Sequence, residues 1–141
     1  MPEAVRPLEP GDAGQVAALE ADARAALEGQ RGGAAHLREV AAVVDWANVP
    51  TTWVATFDDV VVGYLQLVVR ADIAEVRQVH VHPEARELGF GDWMLEAALE
   101  HARAAGCAFI EGVALPGDRE TKNLYERAGI TARKIVVSKP L

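Results

Sequence analysis

Val79-His80-Val81-His82-Pro83-Glu84-Ala85-Arg86-Glu87-Leu88-Gly89-Phe90-Gly91-Asp92-Trp93-Met94-Leu95 is the stretch that decides the fold. A Val-x-Val strand runs into Pro83, a short loop follows, and a turn bearing Gly89 and Gly91 opens a long helix. Such a junction exposes backbone N–H groups at the positive end of a helix. The missing side chains at Gly89 and Gly91 let an anion approach the main chain, and phosphate or pyrophosphate is the natural guest. A tight turn with no ligand accounts for an isolated Gly-x-Gly equally well. A Rossmann site fits poorly, because Met94 stands at the third glycine position and a hairpin precedes the loop. No Gly-Lys-Ser/Thr follows, which excludes a P-loop.

Upstream, Thr52 to Phe57 and Val60 to Arg70 are rich in Val, Thr and aromatics, and Asp58-Asp59 between them marks a hairpin turn. Glu75 to Val81 is the next strand. Val5 to Leu8 is a short strand candidate stopped by Pro10-Gly11-Asp12. Asp12 is placed to cap a helix whose Val16, Leu19, Ala23 and Leu27 recur at helical spacing, until Gly29 to Gly33 break it. A second helix is expected over Ala34 to Trp46, with Leu37, Val40, Ala41 and Val44 on one face and Asn48-Val49-Pro50 ending it.

Downstream, Gly89 to Ala105 carries a narrow polar stripe of Asp92, Glu96, Glu100 and Arg103. Phe90, Trp93, Met94, Leu95, Ala98, Leu99 and Ala102 fill the rest, so a sheet should cover this helix. Gly106 stops it, and Cys107 to Leu115 reads as a buried strand. Asp118 caps a short helix running through Ala128, with Gly129 as its stop, and Thr131 to Ser138 is expected as a last strand. The order is strand, two helices, three strands, helix, strand, helix, strand. That is an α/β domain with a mixed sheet.

A chain of 141 residues suits one domain, here residues 1–141. Half the residues are hydrophobic and 25% are charged, enough for a core. With 14 Lys+Arg against 21 Asp+Glu, the net charge of −7 argues against a broad nucleic-acid face. No apolar run of about 18 residues exists, so no membrane span is expected. Met1 to Arg6 lacks a basic region followed by an apolar stretch, so the expectation is a cytoplasmic protein without a signal peptide. A single cysteine, Cys107, permits no internal disulfide and reads as a buried structural thiol rather than a nucleophile. His80 and His82 form a His-x-His pair, but no acidic or thiol cluster supports them, and His36 and His101 lie on other elements. No metal is expected.

Arg86-x-x-Gly89-x-Gly91 after a Val-x-Val-x-Pro strand resembles the acyl-CoA pyrophosphate loop of the GNAT superfamily of N-acetyltransferases. Val5-Arg6-Pro7-Leu8 with Pro10-Gly11-Asp12 resembles the family opening. Asn123-Leu124-Tyr125-Glu126-Arg127-Ala128-Gly129-Ile130 resembles the segment in which the family carries Asn, Tyr and Gly, with Ile130 where Phe is commoner. The resemblance implies a mostly antiparallel mixed sheet flanked by helices, and acetyl-CoA as co-substrate. It implies that the main chain of Glu87, Leu88, Gly89, Phe90, Gly91 and Asp92 holds the pyrophosphate, with Arg86 as countercharge. Val79 and Val81 would offer main-chain groups to a pantetheine arm lying between their strand and the Cys107–Leu115 strand. Asn123 would hydrogen-bond the arm, and Tyr125 would sit near the thioester sulfur. A small-molecule or protein amine as acceptor, and a homodimer, follow from the same resemblance.

Acetyl transfer to an amine requires two proton movements. A free lysine has a pKa of roughly 10.4, so a base or a water chain must take its proton at neutral pH. Tyr125 is the donor to the departing thiolate, or else a core tyrosine. Glu75 is the candidate base, because strand alternation puts it on one face with Val79 and Val81. Its spacing also aligns with the glutamate base of histone-type members. Alternatively Glu75 pairs with Arg77 or is solvated, and Glu111 on the neighbouring strand is the rival. Trp46 and Trp53 pack the core or line the acceptor cleft. The reading is an acyl-CoA-dependent N-acyltransferase using direct attack in a ternary complex, since no cysteine nucleophile is available. The alternatives are an acyl-CoA-binding sensor without catalysis, and an interaction domain whose glycine loop is structural.

Overall fold

In the computed structural model, which describes residues 2–141, the strand-forming stretches build a five-stranded sheet in the order β1-β2-β3-β4-β5. The strands are β1 (Glu3–Pro7), β2 (Thr52–Phe57), β3 (Val60–Arg70), β4 (Ile73–Val81) and β5 (Phe109–Gly112). The first four pair antiparallel, and β5 joins β4 in parallel, so the mixed, mostly antiparallel sheet expected from the sequence is present. Asp58 and Asp59 make the β2–β3 turn, both with positive φ (49° and 65°). Short polar side chains tolerate that conformation best among non-glycines.

Four helices flank the sheet: α1 (Ala13–Glu28), α2 (Gly33–Glu39), α3 (Phe90–Ala104) and α4 (Arg119–Arg127). On one face, Leu65, Leu67, Ala74 and Val76 of the sheet meet Phe90, Met94, Leu95, Ala98 and Ala102 of α3 and Leu124 and Tyr125 of α4. On the other, Val54, Val61 and Tyr64 meet Val16 and Leu19 of α1 and Trp46. Spacing by four along α3 (Phe90, Met94, Ala98, Ala102) sets its buried stripe. Trp93 lies off that stripe and is exposed, contrary to its expected cover.

Four sequence expectations fail for physical reasons. The second helix does not reach Trp46. It stops at Glu39, and Val40 is already extended. Side chains of α1 take over the backbone groups that a longer helix would use: Arg24 donates to the carbonyls of Leu37 and Val40, and Glu20 accepts from the Val43 amide. Asp12 does not cap α1. Its carboxylate accepts from Arg6 at 2.7 and 2.9 Å and from the Glu9 amide. Finally, Thr131 to Ser138 forms no strand; Ile135, Val136 and Val137 are all exposed. Three successive aliphatics give no single inward face, so no register is specified. β5 is likewise a four-residue edge strand with Phe109 exposed, not a buried strand over Cys107 to Leu115.

Candidate active site

β4 departs from simple alternation. Leu67 pairs with Val76 but Gln66 pairs with Gln78, so Arg77 is an extra residue, a β-bulge. Cross-strand partners share a face. Val76 and Val79 therefore both lie on the α3 side with Leu67 and Leu65, while Glu75, Gln78 and His80 turn to the α1 side with Val68, Gln66 and Tyr64. This corrects the expectation that Glu75 shares a face with Val79 and Val81. The sequence did carry the signal: the apolar positions Ala74, Val76, Val79 and Val81 are spaced two, three, two.

The parallel ladder between β4 and β5 ends at Val76–Gly112. Beyond it β4 continues to Val81 while the other chain turns away, so Arg77 to Val81 have no strand partner on that edge, and of its carbonyls that of Val81 is met by Arg86. Tyr125 of α4 is buried at the foot of this split. Its phenol sits against Gly112, where a Cβ would lie 2.6 Å from Cζ. Burial, with the nearby Asp118 carboxylate, raises the phenol above its ordinary value, so it keeps its proton.

At the far end of β4, His82 closes the strand by accepting the Glu84 amide through Nδ1, and the chain turns into the glycine loop. Glu87 and Gly89 adopt left-handed backbone (φ 69° and 86°). Gly89 precedes α3 without a side-chain cap, and the first intrahelical bond runs from Trp93 N to Gly89 O. The N–H groups of Phe90, Gly91 and Asp92 are thus left for an anion, with the helix dipole behind them. Leu88 is exposed at the loop tip.

Two loop residues also make contacts within the fold. Gly91 faces inward: a Cβ there would meet Leu124 at 3.4 Å and Val81 at 3.9 Å, ordinary contact distances, so a methyl fits and only a larger side chain would collide. The Arg86 guanidinium is partnered, its Nε donating to the Val81 carbonyl at 3.1 Å and its Nη1 pairing with Glu120 at 3.0 Å. It ties the end of β4 to α4. Asp92 pairs with Arg127 at 2.9 Å. Asn123 is exposed on α4, two residues before Tyr125.

Both candidate bases are brought side by side, since Glu75 and Glu111 are register partners on β4 and β5. Each has an arginine. Glu75 pairs with Arg70 at 3.8 Å, not with Arg77, and Glu111 with Arg133 at 3.0 Å.

The sequence reading missed a buried polar network on the α1 side. Glu20, 4% exposed, accepts from Trp46 Nε1 at 3.2 Å, from the Val43 amide and from Gln78 Nε2 at 2.8 Å. Gln78 also donates to Gln66 and accepts from the Tyr64 hydroxyl. Glu20 sits at a buried position of an α1 whose sequence reads as ordinary amphipathic helix, and only its position four residues after Val16 hinted at burial. Trp46 packs edge-on against Tyr64 at 5.3 Å within the core, and Trp53 packs against His101 at 5.5 Å while also lining a cleft. A cleft of about 360 Å³ opens between Leu8, Val49 and Trp53, away from the split; it gathers no group suited to proton transfer except His101, already stacked on Trp53. Among the described residues no three His, Cys, Asp or Glu side chains gather as a metal site, and no helix is long and apolar enough to cross a membrane.

The sequence profile described as the acetyltransferase (GNAT) family matches residues 18–130. No curated protein matches the sequence. Among solved structures, the aminoglycoside N-acetyltransferase AAC(6')-Iy in complex with CoA is 14% identical, with a TM-score of 0.73 over 98% of this chain and 98% of that one. A ribosomal-protein-alanine N-acetyltransferase from Brucella melitensis biovar Abortus 2308 is 18% identical, with a TM-score of 0.71 over 100% and 99%. An aminoglycoside acetyltransferase from an uncultured soil metagenomic sample, in complex with trehalose, is 17% identical, with a TM-score of 0.69 over 99% and 95%. At such identities these likenesses establish a shared fold.

Proposed function

Because the chain belongs to the GNAT acetyltransferase family, we propose that it transfers an acetyl group from acetyl-CoA to a primary amine by direct attack in a ternary complex. The observation that carries this reading is the split itself. A backbone edge without a strand partner (Arg77 to Val81), a buried protonated phenol (Tyr125) and the uncapped start of α3 lie along one path. A CoA thioester needs those three features with the strand edge in the middle: a proton for the sulfur at the foot of the split, the edge for the pantetheine amides, and N–H groups for the pyrophosphate at the far end.

The main chain of Glu87 to Asp92 binds the pyrophosphate, Val79 and Val81 offer backbone groups to the arm, and Asn123 bonds it from α4. Arg86 acts by holding β4 to α4 and adds its charge at the loop. The neutral amine attacks the thioester carbonyl carbon, the C–S bond breaks, and the Tyr125 hydroxyl gives its proton to the leaving thiolate. The amine's proton leaves through Glu75, Glu111 or water. Burial keeps the Tyr125 phenol protonated and so able to donate a hydrogen bond to the sulfur, while the raised pKa weakens it as an acid until the thiolate charge develops beside it. The aminoglycoside acetyltransferases of the same fold support an amine as acceptor. The acidic balance of −7 favours a cationic one.

The arginine partners of Glu75 and Glu111 favour one second reading, an acyl-CoA-binding domain without turnover, since neither carboxylate stands free as a base. Calorimetry with CoA, followed by thiol release from acetyl-CoA over a panel of primary amines, separates the two. The enzyme reading expects binding and turnover. Binding with no turnover on any amine favours the sensor, and absence of CoA binding overturns both.

A further inference from the structure

The Nε2 atom of His80 is the one buried side-chain polar atom that lacks a hydrogen-bond partner among the described residues. Native proteins pair such atoms, so an orphan calls for an explanation. His80 pairs with Tyr64 of β3 on the part of β4 that has no β5 partner, two residues beyond Gln78 and on the α1 face. Nothing of the chain itself is placed to serve it. The Tyr64 ring closes one side at 6.0 Å between centroids, and its hydroxyl is turned to Gln78. The Gln78 amide is engaged at both ends.

We propose that His80 Nε2 is the hydrogen-bond acceptor for an N–H of the acyl-accepting amine. The proposal deepens the acyl-transfer reading and rests on it. With its proton on Nδ1, an imidazole offers Nε2 as a lone pair, and such an acceptor suits an N–H donor. An amine held by one N–H keeps its own lone pair free for the thioester carbon. Of the two N–H sources near β4, the pantetheine arm would meet the strand's main chain in the plane of the sheet, whereas His80 stands out of that plane toward α1. Asp22 of α1 and Asp118 at the start of α4 bring negative charge to the imidazole; Arg86 and His82, from the loop after β4, oppose them. Of the other titratable groups packed there, Tyr64 and Glu20 are bonded within the Gln78 network. Burial first, then Arg86 and His82, lower the imidazole pKa to about 4, so the lone pair persists at any working pH.

The test uses Nα-acetyl-lysine methylamide as the probe amine, with the intact protein. His80→Leu removes the acceptor, and His80→Gln restores an oxygen near the Nε2 position. The expected result for His80→Leu is a rise of about tenfold in KM for the amine, the usual worth of one such bond. The rise should be smaller in His80→Gln, with acetyl-CoA KM and calorimetric CoA affinity as in the wild type. An unchanged amine KM overturns the proposal. So does a rise confined to the acetyl-CoA KM, which would make the pantetheine amide the donor. Independently of turnover or of how the variants fold, nitrogen spectra of ¹⁵N-histidine-labelled, CoA-bound wild type should show the His80 Nε2 resonance moving as the amine is added. A resonance that stays still up to saturating amine overturns the proposal, while failure of CoA to bind in calorimetry marks failure of the acyl-transfer reading instead.

Discussion

Gly112→Ala places a methyl where the structure has the Tyr125 phenol. The new Cβ would stand 2.6 Å from Cζ and 3.1 Å from Cε1, against an optimum of about 3.5–4.0 Å between carbons, so ring and strand must part by about 1 Å. The ring has little room to retreat, because Tyr125 and Leu124 are each 7% exposed and Val76 4%. Overpacking of this kind costs about 1–3 kcal/mol. For a domain of this size each kcal/mol lowers the melting temperature by about 2–4 °C, so a fall of about 2–12 °C is expected. The hydroxyl moves with the ring, and a displacement near 1 Å at a reacting group costs up to about 10²-fold in turnover. Thermal unfolding followed by circular dichroism reads the first effect, and CoA release from acetyl-CoA the second. Adding Tyr125→Phe removes the atom nearest the new methyl, so the double variant should regain part of the lost melting temperature but no activity. A Gly112→Ala protein with wild-type melting and turnover would refute the contact and the position of Tyr125 with it.

Tyr125→Phe alone should keep the fold and CoA affinity while turnover falls by about 10²–10⁴-fold, read by calorimetry beside steady-state kinetics. Gly89→Ala forces an L-residue to φ near 86° and should cost about 1–2 kcal/mol of stability and weaken CoA binding, whereas added bulk at Gly91 should strike Leu124 and lower melting even without ligand. Glu75→Gln, if Glu75 is the base, lowers turnover most near neutral pH with CoA affinity intact; equal turnover from pH 6 to 9 passes the role to Glu111 or water. Two groups contribute to the acid limb of stability. The Arg6 hydrogen bond holds the Asp12 carboxyl below its ordinary value, so its contribution is present above about pH 4 and is lost as pH falls through the lowered folded pKa. His80, depressed to about 4 by burial, binds fewer protons folded than unfolded, so stability should rise with pH between about 4 and 6.5 and then level. Asp12→Asn and His80→Gln should each flatten their own part of a chemical-denaturation profile against pH.

The β2–β3 hairpin, α3 and α4 were legible because each is closed by local residues, Asp58-Asp59 for the hairpin and Asp118 and Gly129 for α4, and the two helices keep one period. The glycine loop was legible for the same reason. What escaped was decided across the sheet. Whether Val40 to Trp46 stays helical depends on Glu20 and Arg24, side chains some 16 to 26 residues away that take its backbone and indole groups. The facing of Glu75 depends on Arg77 being left out of the ladder, which reverses every later side chain. The pairing of Arg86 with Glu120 of α4, 34 positions on, left no local trace either. Thr131 to Ser138 had strand-forming residues but no inward face.

The Glu20 carboxylate joins two parts that would otherwise vary separately: the irregular chain through Val43 and Trp46, and the bulged strand through Gln78. If the first of these borders the incoming amine, broadening the range of acceptors by altering residues 40–48 also disturbs the strand that aligns the thioester. Directed evolution of acceptor choice should therefore stall on variants that bind new amines but transfer slowly. Progress should come from changes that leave Val43, Trp46 and Glu20 in register, or from paired replacements at Glu20 and Gln78 that exchange donor and acceptor while keeping the junction closed.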